Sequence, residues 1–467
     1  MANQIVKKVG IYFIGNMATK VTMALMIPIY AFFVLPDALG LFDFIQALTL
    51  LVAPVLYAAI WESLLRFILI EEDAKAIERT ISTVVLFFFS VTLLIIFLSC
   101  VVLVFNEAWG LEIICCAAMM VFYSGAQIWQ YFARGLKQSK LYTASGIISA
   151  LVNFALILIL VCLMSMQFIG LAISYIVGQV AIFIIIEAKI KLISKMRKSY
   201  LDLHLLKEIM RFSLPLAANL LFLTIINSFG RVVVTTFFGA ETNGLYTFAL
   251  RFGSIVSALG GIFSMAIIEE SILRIGKEGS IGFLSIVADI TTKALFQLSS
   301  LVLPFVGLFF FIIQNTGYYE AWSYSPLTIL YGSLVVLSTV IGNVFQIEKK
   351  TERAMISTFF GALIVIIGSL VSVFLRSFYG ILASLVFGAL VMLILRIVLG
   401  RKLIAYDFPA LRACGYVCLF VAQVGLYFYS LSSMNLVLLI IWSVVAAALY
   451  CPMIIKQYKA LSAIPDV

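Results

Sequence analysis

The sequence predicts an all-α polytopic membrane protein of about fourteen transmembrane helices: two parallel six-helix repeats around a central cavity, plus two C-terminal helices. Three observations lead there. Of 467 residues, 64% are hydrophobic and 11% charged, with a mean hydropathy of +1.17, whereas a soluble domain carries about 25% charge. Apolar runs recur from Ile11 to the C-terminus between short polar breaks, and each has the roughly 20 residues that cross a hydrocarbon core of about 30 Å. Third, Glu62-Ser63-Leu64-Leu65-Arg66 returns as Glu270-Ser271-Ile272-Leu273-Arg274, and Gly170, Ser174 and Gly178 return as Gly380, Ser384 and Gly388, at offsets of 208 and 210 residues. Apolar chains repeat Leu and Ile by accident, but a Glu, a Ser and an Arg recurring in step with Gly-x-x-x-Ser-x-x-x-Gly mark a duplicated unit.

The spans follow in order. Lys7 and Lys8 precede the first, 11–33, which runs past Phe32 and Phe33 without a small-x-small cleavage pattern and is expected to stay in the mature protein. The second, 42–69, ends in the Glu62 to Arg66 segment; 81–105, 111–133 and 143–164 follow. Span six, 168–188, places Gly170, Ser174 and Gly178 on one helix face, a spacing that permits close helix contact, as do Gly380, Ser384 and Gly388 in span twelve. Residues 189–211 form the longest basic loop, with Lys195, Arg197, Lys198 and the lone His204; this cytoplasmic linker is expected to be an amphipathic helix on anionic lipid. Spans 212–237, 244–270, 290–313, 325–347, 355–375 and 380–399 make the second set of six, and 412–430 and 435–455 have no counterpart in the repeat. The domains are therefore 1–200, 201–400 and 401–467. Six spans per half is an even number, so both halves enter the membrane in the same sense. Tyr318, Tyr319, Trp322 and Tyr324 fall in the longest external loop and read as an interfacial aromatic belt.

Of the 31 Lys and Arg, alternate loops and the two termini hold 24, the opposite loops hold only Arg376, and six (Lys20, Arg66, Arg231, Arg251, Lys293 and Arg396) lie inside apolar segments. The positive-inside rule then puts both termini in the cytoplasm. Basic residues dispersed over many short loops describe a membrane face and exclude a nucleic-acid partner. The seven cysteines all sit in spans without C-x-x-C spacing, which reads as packing. No phosphate loop, H-E-x-x-H or Ser/His/Asp set is present, so the chain is read as no enzyme, with no catalytic residue, metal or cofactor.

An ionisable side chain near the bilayer centre costs at least about 2.5 to 3.5 kcal/mol, so each needs a partner, a cavity or a task. Lys20 stands twelve residues beyond Lys8, a rise of about 18 Å that brings it near the midplane and favours a water-filled lumen. Arg231 and Arg251 lie nearer the outer surface, where snorkelling is the alternative. Glu62 and Arg66, like Glu270 and Arg274, are i, i+4 pairs; each is either a local salt bridge or part of a charged gate at the cytoplasmic mouth. Asp43 and Asp289 lie near span ends, where acidic residues are cheap. Cationic residues without a carboxylate in spans one and seven suit a phosphorylated cargo.

Ala24-Leu25-Met26-Ile27-Pro28-Ile29-Tyr30, Leu39-Gly40-Leu41-Phe42-Asp43, the Glu62 to Phe67 segment, Phe237-Phe238-Gly239 with Gly244-Leu245-Tyr246, and Lys349-Lys350-Thr351 resemble the polysaccharide-biosynthesis flippases, the Wzx-type proteins of the MOP exporter superfamily. The resemblance implies an inner-membrane flippase that moves undecaprenyl-diphosphate-linked oligosaccharide units by alternating access for O-antigen, capsule or exopolysaccharide assembly. It also implies lipid-linked oligosaccharide and membrane lipid as partners, polymerase and chain-length proteins of the same pathway as further ones, and H+ or Na+ coupling. Lys20, Arg66, Arg231 and Arg251 become the lumen candidates. The related lipid II flippases hold a polyprenyl tail with two extra C-terminal helices, which spans thirteen and fourteen resemble. Many relatives carry Asp where this chain has Gly230, which leaves Arg231 freer to meet a ligand. Two rivals stay in view: a MATE-type antiporter, expected to keep a carboxylate in span one, and an O-unit polymerase or ligase, expected to carry a large external loop.

Overall fold

The computed structural model describes residues 24–69, 71–197, 200–273, 280–348, 350–404 and 407–462. They fall into two compact units that part between Thr235 and Thr236. In hydrocarbon no water satisfies a backbone N–H or C=O, so apolar segments close their own hydrogen bonds as helices. The first unit holds α1 (Ala24–Phe33), α2 (Pro36–Leu56), α3 (Trp61–Leu69), α4 (Ala74–Phe105), α5 (Gly110–Gly135), α6 (Ser139–Ile157), α7 (Gln167–Ile190), α8 (Leu192–Lys195) and most of α9 (Leu203–Phe238). The second holds α10 (Ala240–Leu273), α11 (Ser280–Ile312), α12 (Ser325–Ile347), α13 (Thr351–Phe374), α14 (Phe378–Arg401), α15 (Ala410–Ser432) and α16 (Leu436–Ser462).

Among the described residues, twelve helices are long and apolar enough to cross a membrane. The two remaining expected spans correspond to α1, of which ten apolar residues are described, and to the 34-residue α10. Helices α4 and α9, at 32 and 36 residues, outrun their expected spans toward the end that carries the Lys- and Arg-bearing loops, here the basic end. Hydropathy stops where polar residues begin, but helical hydrogen bonding continues into water. Asp73 caps α4 by accepting from the Lys75 N–H at 3.0 Å.

In the first unit α5 is central. Its fully buried Trp129 packs edge-on to Phe88 of α4 and against Phe183 of α7, with ring centroids 5.5 and 4.3 Å apart, and its Nε1–H donates to Glu187 at 2.8 Å. In the second unit Phe248 and Phe252 of α10 pack on Phe310 of α11.

Two expectations are corrected. The apolar run 42–69 is not one helix: α2 stops at Leu56, Tyr57 to Ile60 turn, and α3 begins at Trp61. Pro54 lies in the last turn of α2, and Ala58 and Ala59 take left-handed φ values of 50° and 39°. Irregular backbone inside a membrane is tolerated only when protein covers it, and Tyr57, Ala58, Ala59 and Ile60 are all buried. The linker 189–211 is likewise not one helix: residues 203–211 are the first turns of α9, and the stretch before them is broken. Lys191 turns the chain at φ 57°, α8 lasts four residues, and Glu187 accepts from the N–H groups of Leu192 and Ile193. The stretch then docks on α4: Arg197 N–H donates to Ser82, Asp202 N–H to Thr83, and Asp202 pairs with Arg79 at 3.0 Å. The N–H groups of Leu205 and His204, aided by Arg79, hold the Asp202 carboxyl below the usual carboxylate range. Apolar Leu192 is fully buried, and α8 packs on α4.

Candidate functional site

Charges set inside apolar helices are the residues that demand a reason. Arg231 stands seven residues before the end of α9, and Asp43 seven residues after the start of α2. A rise of 1.5 Å per residue gives both a depth of about 10 Å. They meet: the Arg231 guanidinium lies 3.8 Å from the carboxylate of Asp43, which is 3% exposed. At an effective dielectric of 20 such a pair attracts by about 4 kcal/mol, comparable with the insertion penalty of either partner. This corrects two readings of the sequence. Asp43 is not a cheap terminal acid, and Arg231 is not left free by Gly230, because a carboxylate from another helix supplies its partner. An apolar run that starts at residue 42 sets Asp43 at its edge, whereas α2 begins six residues earlier at Pro36 and carries Asp43 into the bundle, so hydropathy alone hides the equal depth of the two charges.

Arg66 and Glu62 share α3 but not a salt bridge; among the described residues no ion pair joins them. Glu62 accepts instead from the Tyr131 hydroxyl of α5 at 2.8 Å. Arg66, exposed at the end of α3, lays its guanidinium over the Phe212 ring of α9, 4.5 Å from the centroid. The repeat partners do not enter this comparison: Arg274 lies outside the described residues, as does the side chain of Glu270. Lys20 lies outside them too. Arg251 is half-buried on α10 of the second unit.

Two basic residues noted only as lying inside spans have definite partners in the second unit. Arg396 on α14 is 8% exposed and donates to Ser357 Oγ, the Ser338 carbonyl and Thr358 Oγ1, at 3.1, 2.8 and 3.2 Å. Gly342 of α12 makes room for it, since a Cβ there would stand 2.8 Å from the guanidinium. Lys293 bonds Asp289 at 2.7 Å, and Arg412 of α15 reaches the same carboxylate at 2.9 Å. Asp289 is thus a two-cation anchor fastening α15 to α11. Both α15 and α16 pack on α11, and Gln423 of α15 donates to the Tyr450 hydroxyl of α16 at 2.7 Å.

The small-residue stripes lie at helix contacts. Gly178 of α7 faces Ser149 and Asn153 of α6, and Ser149 Oγ donates to the Gly178 carbonyl at 2.7 Å. Gly170 abuts Val161 in the π-helical turn Leu158–Leu163 that ends α6, and the buried Ser174 bonds the Gly170 carbonyl. In the second unit Gly380 faces Ser372, Ser384 Oγ meets Ser369 Oγ at 3.1 Å, and Gly388 lies against Val365 and Gly361, all on α13.

A family model described as polysaccharide biosynthesis protein matches residues 5–268. No curated protein matches the sequence. Among solved structures, the fold is similar to the lipid II flippase MurJ in an inward closed conformation, with a TM-score of 0.64, 12% identity, and coverage of 97% of this chain and 100% of that one. It is similar also to an inward-facing multidrug resistance MATE family transporter of the MOP superfamily, with a TM-score of 0.59, 15% identity, and coverage of 83% and 98%. At these identities the likeness is one of fold.

Proposed function

Because this chain belongs to the polysaccharide biosynthesis protein family and has the fold of MOP-superfamily transporters, we propose that it is a flippase for polyprenyl-diphosphate-linked oligosaccharide units, working by alternating access. The observation that carries the reading is the extent of the family match: residues 5–268 take in Lys20, Arg66, Arg231 and Arg251 together. Cationic side chains in low dielectric favour a diphosphate over an organic cation. The repeats 1–200 and 201–400 are the moving parts in this proposal, with α9 up to Thr235 going with the first, and 401–467, joined to α11 through Asp289, would hold the polyprenyl tail. Placement in a bacterial inner membrane with cytoplasmic termini belongs to the same proposal, and so does the absence of catalysis.

A deletion strain tests it. Loss of a flippase halts export, and the lipid-linked unit accumulates and is seen by mass spectrometry of extracted lipids. Loss of a polymerase leaves single units displayed at the surface, an outcome that would sink the proposal. In that strain Lys20→Ala and Arg251→Ala should abolish complementation at normal expression, while Lys20→Arg keeps part of it because positive charge is the requirement. Full complementation by both alanine variants removes the cationic assignment.

A further inference from the structure

A cavity of about 490 Å3 opens in the first unit at its basic end, lined by Arg66, Phe67, Glu71, Glu208, Arg211 and Phe212. Its walls follow from local geometry. Arg66 and Phe67 close the last turn of α3, Glu71 follows in the next loop, and Glu208, Arg211 and Phe212 fall at i, i+3 and i+4 on one face of α9. Phe67 and Phe212 meet edge to face, with centroids 6.1 Å apart, and Arg66 lies on the Phe212 ring.

Four charges surround this space, two of each sign. Among the described residues, no salt bridge joins either arginine to either glutamate. Arg66 rests on the Phe212 ring and Glu71 Oε1 accepts from the Glu72 and Asp73 N–H groups at 3.1 and 3.0 Å, which leaves the outer edge of the Arg66 guanidinium, the second Glu71 oxygen, Glu208 and Arg211 to line the cavity. It is suited to a ligand that brings both an anion and hydrogen-bond donors. Bare phosphate satisfies the guanidiniums but opposes the carboxylates, and a neutral sugar does the reverse. A sugar phosphate serves both: planar guanidiniums take phosphate oxygens in pairs of hydrogen bonds, carboxylates accept from hydroxyls, and the Phe67 ring gives an apolar wall.

We propose that this cavity docks the glycosyl phosphate end of the lipid-linked cargo, with Arg66 and Arg211 on the phosphate and Glu71 and Glu208 on the adjoining sugar. The inference rests on the flippase reading and adds the reception site to it. The break at Tyr57 to Ile60 separates α3 from α2, so one wall of the cavity hangs on a short helix of its own.

The same chemistry, phosphate beside a donor, occurs in phosphatidylethanolamine, and the probes separate the two sources. Calorimetry on the detergent-purified full chain would use glucose 1-phosphate, galactose 1-phosphate and N-acetylglucosamine 1-phosphate against O-phosphoethanolamine, glucose and inorganic phosphate. At least one hexose 1-phosphate should bind at least tenfold more tightly than phosphoethanolamine or glucose. Arg66→Ala and Arg211→Ala should each weaken it about tenfold, which is 1.4 kcal/mol. Glu71→Gln and Glu208→Gln should weaken hexose 1-phosphate while strengthening inorganic phosphate, an opposite response that general loosening of the fold does not produce. Thermal unfolding of each variant, with Arg66→Lys retaining part of the affinity, guards against misfolding. Equal binding of phosphoethanolamine assigns the cavity to bulk lipid and overturns the proposal, as does hexose 1-phosphate binding that ignores both arginine variants or is absent altogether. In cells, a strain in which deletion accumulates lipid-linked units but Arg66→Ala/Arg211→Ala exports them normally refutes the cavity and leaves the transport reading standing.

Discussion

Arg396 is buried against three neutral acceptors, and no carboxylate is among its hydrogen-bond partners. Removing a donor that satisfies buried oxygens costs about 1 to 3 kcal/mol, so Arg396→Met should lower thermal stability in detergent by that amount. Gly342→Ala should cost a similar amount by driving a Cβ into the guanidinium. Because the methyl can occupy space that the arginine vacates, the double variant should lose less than the two singles combined. Additive losses would show that Gly342 and Arg396 do not share one site. The pair of Arg231 and Asp43 behaves differently, because both members are charged. Asp43→Ala leaves a cation within the bundle, and breaking a buried pair costs about 3 to 5 kcal/mol. Membrane expression should fall sharply in Asp43→Ala and recover in part in Asp43→Ala/Arg231→Ala, as read by fluorescence of a C-terminal fusion. The sequence places each of these charges in a span and at a depth. It does not name the partner, because helix rotation decides which neighbours meet, and nothing local to Arg231 points at Asp43.

Helices are the scale at which the sequence is most legible, since 20 apolar residues with polar ends have one solution in a bilayer. The α2–α3 break shows where that legibility stops. Residues 42 to 69 are apolar almost throughout, and hydropathy does not distinguish a helix from a buried turn. Pro54 was the available sign, because proline removes a backbone donor and clashes with the preceding turn. The left-handed φ at Ala58 has a measurable consequence. An L-residue there costs about 1 to 2 kcal/mol, which Ala58→Gly relieves, while the lost methyl burial costs about 0.8 kcal/mol and the greater freedom of glycine when unfolded about 0.4 to 1. The net effect is near neutral, within about 0.8 kcal/mol either way. Ala47→Gly, at a fully buried position inside α2, carries only the unfavourable terms and should destabilise by about 1.5 kcal/mol or more. Equal losses for the two variants in thermal unfolding would mean that the turn at Ala58 is absent in the membrane.

For the molecule as a whole, orientation decides what the cavity at Arg66 can meet. Near an anionic leaflet each Lys or Arg gains about 1 kcal/mol, and the split of 24 basic residues against one makes the choice of face heavily one-sided. The fold adds short turns between neighbouring helices, such as Leu136 to Gln138 between α5 and α6, which keep the charges of such a turn at one face. Single cysteines placed in a cysteine-free background read this directly. Gly317→Cys, between α11 and α12, should react with a membrane-impermeant maleimide in intact cells, and Lys137→Cys, between α5 and α6, only after permeabilisation. The reversed pattern would turn the basic end outward, and a cavity built to receive cargo before transport would then stand on the side where cargo leaves.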